Sequence, residues 1–316
     1  MEKQRPGAFE EYKENKIHWE QGSVLDLSWS SDGNLLTAAG SKGSVRSWRL
    51  NRSGQKDGEE LKNIGSNIER LAWGPAAQNS DILAAASYDR SISLWDQRQG
   101  AVGAKLTTSG NNTDICWSPS GKYLATINRD EGKLEVFDVS QTQSPVIVAD
   151  TEDIVCSVRW NPQESMLFLA TDRGSVEVYQ WPTMGHLTTI YGHAASCHCV
   201  EFDNCGTTMA TGGADALVEL WDTEDFSLKR PISGHESVLR YIGFSADGRY
   251  IASASDDTFI KIHETFSGEL AHNLKVDSFT TTLEWHPRKL ILACGTNGSS
   301  KMSIKPSVTL FLKPGV

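Results

Sequence analysis

The sequence predicts an all-β fold, a seven-bladed β-propeller closed into one ring, on three observations. An aromatic residue ends an alternating apolar segment at Trp29, Trp73, Trp117, Trp160, Phe202, Phe244 and Trp285, at spacings of 44, 44, 43, 42, 42 and 41 residues. Turn chemistry follows each of these anchors. A second bulky position stands about 19 residues beyond each of the first six, at Trp48, Trp95, Phe137, Tyr179, Trp221 and His263, and Phe311 takes that place in the seventh copy. A repeat of this length and pattern is that of a four-stranded propeller blade.

Taken in order, the copies turn after their anchors at Ser31-Asp32-Gly33, Gly74-Pro75, Ser118-Pro119-Ser120-Gly121, Asn161-Pro162, Asp203-Asn204-Cys205-Gly206, Ala246-Asp247-Gly248 and His286-Pro287. Glycine supplies positive φ and proline fixes φ near −65°, so each site reverses the chain between two strands. Period-2 segments such as Leu134-Glu135-Val136-Phe137 and Leu217-Val218-Glu219-Leu220 read as strands packed between layers. The seventh copy reaches only its third strand, Val308 to Leu312, before the chain ends. Lys16 to Trp19 is therefore expected to add the outer strand of that last blade, which closes the ring and covers an open edge. Residues 1–11 are expected to be a flexible N-terminus and 12–316 a single propeller domain.

With its repeat and the Trp95-Asp96 and Trp221-Asp222 pairs, this chain resembles the WD-repeat family over essentially its whole length. That family braces blades with a hydrogen-bonded tetrad of His, Ser or Thr, Asp and Trp, and the resemblance implies one here at the matching positions His193, Thr211, Asp215 and Trp221. An imidazole, a hydroxyl, a carboxylate and an indole N–H can satisfy one another in sequence. The next copy keeps His235, Ser253 and Asp257 but has His263 in place of Trp, which implies a looser network. The first copy departs further, with Ala38 and Lys42 at the hydroxyl and carboxylate positions.

The formal charge is −10 and the sequence pI about 5.3. An acidic chain is poorly suited to neutralising phosphates, so any contact with RNA is expected to pass through a partner. No apolar run suits a signal peptide or a membrane span. The expectation is a soluble protein of a reducing compartment, with no membrane partner and no small-molecule substrate.

Several constellations imitate chemistry. His193, Thr211 and Asp215 are the residue types of a hydrolase triad, but tetrad spacing and the lack of a G-x-S-x-G elbow assign them to bracing, and no catalytic residue is expected. Cys197, His198 and Cys199 stand near His193 and Cys205, yet zinc-module spacing is missing. Strand alternation is expected to put Cys197 and Cys199 on one face as small buried hydrophobes. No glycine pattern forms a phosphate cradle, and no cofactor is expected. The mixed-charge loop Asn51 to Gly58 reads as a surface excursion.

Trp95-Asp96-Gln97-Arg98 resembles the W-D-x-R box by which some WD-repeat proteins dock as substrate receptors of a cullin-4 ubiquitin ligase. The competing reading of Trp95, Asp96 and Arg98 is the repeat signature followed by a turn. Other stretches go further. Asn112 to Gly121, Phe202-Asp203, Ala210 to Asp222 and Glu284 to Arg288 resemble blades of the THO complex subunit 3 family, as do Ile262-His263-Glu264 and the insertion Asn297 to Pro306. This resemblance implies a nuclear scaffold of the THO messenger-RNA-export complex. It would bind other THO subunits directly, and messenger RNA, RNA helicase and export adaptors only through them. Another WD-repeat assembly scaffold, a ligase receptor and an enzyme with an unrecognised site remain alternatives.

Partner contact is expected on the face built from the loops that enter each inner strand and those that join the second strand to the third. Tyr88 and Arg129, with the inner-strand charges Arg70 and Arg240, would form an aromatic and cationic patch there. Tyr and Arg are enriched at interface hot spots.

Overall fold

The structure is a computed structural model that describes residues 9, 12–17, 19–50, 58–141, 144–298 and 305–312. Seven four-stranded antiparallel sheets form its blades, six of them built from four strands consecutive in the chain. The innermost strands are Val24–Trp29, Ile68–Trp73, Asn112–Trp117, Val155–Trp160, Cys197–Phe202, Leu239–Phe244 and Thr280–Trp285, so every anchor aromatic is the last residue of an inner strand.

Register explains why the second bulky position recurs. Trp29 lies opposite Leu36 and Leu36 opposite Trp48; the corresponding rows in later blades include Trp73, Leu83 and Trp95, then Phe202, Met209 and Trp221, and finally Trp285, Leu292 and Phe311. Each row presents bulky side chains to the neighbouring blade, and the apolar core lies between blades rather than within one. The indoles also stitch the blades together. Trp117 Nε1 donates to the Ala72 carbonyl at 2.9 Å and Trp285 Nε1 to the Gly243 carbonyl at 3.0 Å, each acceptor being the residue before the preceding anchor.

The ring closes through the N-terminal segment. Lys13–Ile17 pairs antiparallel with Val308–Leu312, from Lys13 opposite Leu312 to Ile17 opposite Val308. This strand begins three residues before the expected Lys16 and stops short of Trp19. Trp19 has left the ladder to pack on Trp48 of blade one at a ring separation of 5.7 Å, with its Nε1 donating to the Gly22 carbonyl at 2.6 Å. The expected flexible stretch 1–11 lies outside the described residues except for Phe9, which is buried against Tyr250 with ring centroids 4.7 Å apart. The loop at residues 51–57 and the insertion at 299–304 also lie outside them.

Every inner strand carries a β-bulge, at Val24/Asp26, Ile68/Arg70, Asn112/Asp114, Val155/Ser157, Cys197/Cys199, Leu239/Tyr241 and Thr280/Thr282. The extra residue breaks the two-residue alternation. It overturns the expectation that Cys197 and Cys199 share a face: Cys197 packs with Phe168 and Val176 of blade four, Cys199 with Leu239 and Ile242 of blade six.

Candidate protein-interaction site at the channel mouth

The bulges also decide what faces the central channel. Residues three before each anchor form one lining ring, Asp26, Arg70, Asp114, Ser157, Cys199, Tyr241 and Thr282, and residues one before contribute Cys116, Arg159, Glu201 and Glu284 deeper down. Because the extra residue sits four before the anchor, His198 and Arg240 join the lining at the rim. Tyr88 and Arg129 reach the same rim from loops between second and third strands, and the whole cavity is about 620 Å³.

Most charge in the throat is committed to holding the ring. Arg159 bridges Asp114 at 2.8 Å and Glu201 at 2.7 Å, linking blades three, four and five. Burial opposes the Arg159 charge, but the two carboxylates outweigh it and hold the guanidinium well above its ordinary pKa. Asp114 further accepts from Ser157 Oγ and Val158 N, each at 2.9 Å. Asp26 accepts from Leu71 N at 2.8 Å and Thr282 Oγ1 at 2.9 Å, so it ties blade one to both neighbours. Glu284 accepts from Trp29 N at 2.8 Å, and burial together with the nearby Asp26 charge pushes its carboxyl well above the usual range.

The four partner-contact candidates meet at this one opening, in unequal settings. Tyr88 is 55 % exposed and Arg129 is exposed at the rim. Arg240 is held by a fork on Asp256, with Nη2 at 2.8 Å from Oδ2 and Nε at 3.1 Å from Oδ1. Arg70 is half-buried, unlike the exposed other three. It lies within the throat, where burial opposes its charge but Asp26, together with Tyr241, Asp114 and Glu69, holds it above its ordinary pKa, and it donates to the Glu69 carbonyl at 3.0 Å. Between the rim arginines, burial and then the charges of Arg240 and Arg129 hold His198 below the usual histidine value. Sequence reasoning missed Tyr241, His198 and the Asp114–Arg159–Glu201 bridge, although counting three and one back from each anchor would have found all but His198.

Away from the channel, blade five brings the tetrad together. Trp221 Nε1 donates to Thr211 Oγ1 at 3.0 Å, Thr211 lies 2.8 Å from His193 Nε2, and His193 Nδ1 is 2.9 Å from Asp215 Oδ1. Thr211 is 1 % exposed, which leaves its hydroxyl no approach for a substrate. A fifth group, not foreseen, is Glu219, whose buried Oε2 lies 3.6 Å from His193 Nε2 and has no hydrogen-bond partner. In blade six His235 bonds Asp257 at 3.0 Å and Ser253 at 2.9 Å, while buried His263 leaves Nδ1 unpartnered. Ala38 stands opposite Leu27 as Thr211 stands opposite Val200, so blade one lacks the hydroxyl.

The W-D-x-R box is mostly internal. Trp95 and Asp96 are buried, and Asp96 caps its turn by accepting from Arg98 N at 2.8 Å and Gln99 Nε2 at 2.9 Å. Arg98 alone is presented, 72 % exposed with Asp81 at 3.5 Å, on the face opposite Tyr88. Among the described residues no group of three or more His, Cys, Asp or Glu is placed to hold a metal ion.

Residues 12–49 and 226–264 match the family description "WD domain, G-beta repeat", and residues 70–237 match "WDR19 first beta-propeller". The chain is 34% identical over 272 residues to THO complex subunit 3 of Arabidopsis thaliana, covering 85% of each. It is 30% identical over 291 residues to WD repeat-containing protein AAC3 of Dictyostelium discoideum, covering 84% of this chain and 60% of that protein. It is 26% identical over 255 residues to Protein FIZZY-RELATED 3 of Arabidopsis thaliana, with 77% of this chain and 50% of that one covered.

Proposed function

The chain belongs to the WD-repeat β-propeller family, and on that premise we propose that it is a non-catalytic assembly subunit of a THO-type complex in the nucleus. The observation that carries this reading is the 34% identity to THO complex subunit 3 over 85% of both chains. The chemistry agrees with it. The tetrad and the throat charges are spent on joining strands and blades, and recognition groups collect on loops at one channel mouth, where a rigid scaffold best presents them. With a net charge of −10, the protein would meet RNA through its partners.

Affinity purification of the tagged chain from nuclear extract, followed by mass spectrometry, tests the assignment. Co-enrichment of the large helical THO subunits is the expected result. Enrichment of cullin-4 ligase components that depends on Arg98 would replace it with the receptor reading, and enrichment of an unrelated complex with another assembly role.

A further inference from the structure

The throat separates into groups that are used and groups that are not. Its carboxylates Asp26 and Asp114 accept hydrogen bonds from neighbouring blades, and Arg159 is paired with two carboxylates. Arg70 is different. Of the five N–H donors of a guanidinium, it places one on the Glu69 carbonyl, and no carboxylate among the described residues lies within ion-pair distance. The Tyr241 hydroxyl beside it makes no hydrogen bond among the described residues, and Arg129 at the rim has no ion pair there. What remains uncommitted among the described residues is therefore two guanidinium groups, Arg70 and Arg129, and the Tyr241 hydroxyl, beside one unpaired carboxylate, Glu69, at the mouth of an otherwise acidic protein. These donors are not among the buried unpartnered atoms, so they stay open to water and to an incoming acceptor, and a narrow low-dielectric cleft focuses their field.

We propose that this mouth receives an extended acidic segment of a partner protein, one Asp or Glu carboxylate entering the throat to accept from Arg70 and the Tyr241 hydroxyl while Arg129 pairs with a flanking acid. The inference rests on the assembly reading and names the chemistry of its contact. A cavity of about 620 Å³ takes a few side chains rather than a helix or a duplex. A single carboxylate matches Arg70, the one guanidinium inside the throat without an ion pair among the described residues, whereas a phosphate dianion would meet stronger repulsion from Asp26 and Asp114. Exposed apolar side chains on the same face, Tyr88, Ile154 and Phe279, give the flanking residues of such a segment a surface to cover. An RNA phosphodiester is also a monoanion, so RNA is set apart by its long run of repeating charge, which a protein of net charge −10 repels.

The test is fluorescence anisotropy on the full chain with a labelled heptapeptide, Gly-Glu-Glu-Phe-Glu-Glu-Gly, and its Gln counterpart. The Glu peptide is expected to bind about tenfold more tightly than the Gln peptide at low salt, since charge-assisted bonds are lost in the latter. Arg70→Met, Tyr241→Phe and Arg129→Ala are each expected to weaken it by about threefold or more. Arg70 lies inside the ring and its replacement can disturb folding, so the exposed Arg129 and the ring-preserving Tyr241→Phe carry the decision. Equal binding of the two peptides, wild-type affinity in both deciding variants, displacement by millimolar inorganic phosphate, or tighter binding of oligouridylate would each overturn the proposal. THO subunits recovered from nuclear extract without acidic-peptide binding would remove this inference and leave the assembly reading. Peptide binding without THO recovery would remove the assembly reading and leave the site.

Discussion

The indole nitrogen of Trp221 lies 3.0 Å from the hydroxyl of Thr211, a contact that joins the third strand of blade five to its second inside a dry interior. Thr211 passes its own proton toward His193, and His193 Nδ1 donates to Asp215, which also accepts from Ala194 N at 3.1 Å.

Asp215→Ala removes the last acceptor of that relay and leaves a buried imidazole N–H unpaired. A loss of about 1 to 3 kcal/mol is expected, with the fold retained. Because cores form between blades, amide exchange is expected to quicken in the adjoining inner strands Val155–Trp160 and Leu239–Phe244. Partner binding should fall in step with stability and recover on cooling. Wild-type melting with loss of a measurable function would contradict the bracing role.

His263 supplies a pH test. Burial, followed by the charges of His235 and Lys261, pushes its pKa down to about 4. A depressed histidine pKa means that the unfolded chain takes up the proton first. Stability is therefore unaffected above the ordinary histidine value near 6.5 and is lost as pH falls from there toward about 4. His263→Phe is expected to flatten that limb by up to about 3 kcal/mol, as read from urea melts across pH. An unchanged acid limb would show that other groups set it.

Truncation before Gln21 deletes the outer strand of blade seven together with buried Ile17 and Trp19. A melting temperature lower by at least about 5 °C is expected, and an unchanged melt would mean that the closing strand contributes nothing.

The isolated chain is expected to bind single-stranded RNA no better than micromolar at about 0.15 M salt. Filter binding at sub-micromolar affinity would overturn that expectation.

The ring was legible in the sequence because its determinants are local and periodic. An aromatic that must end each inner strand and a bulky partner two strands away leave a period of 41 to 44 residues, and the turns between them need glycine or proline. The tetrad was legible for the same reason, since its four members sit at fixed offsets. The bulges were not. An inserted residue has no composition signal, and alternation counted through Cys197-His198-Cys199 gave the wrong faces. Arg70 was recognised as unusual but read as a surface group, because one residue of offset separates the rim, where Arg240 sits, from the throat. Glu219 escaped notice because an acid on a strand reads as solvent-facing, and only packing against His193 shows that it is buried. Phe9 lay beyond the repeat, where no register reached it.

We propose that this propeller assembles a THO-type complex through its channel mouth. The most direct test is quantitative affinity purification from nuclear extract with the wild type beside the Arg70→Ala/Arg240→Ala double variant, each monitored for melting temperature. THO subunits are expected to be enriched by the wild type and lost with a variant that still melts as a folded ring. Unchanged recovery with the variant would contradict the claim that this face is the interface, and absence of THO subunits from the wild-type sample would contradict the assignment itself.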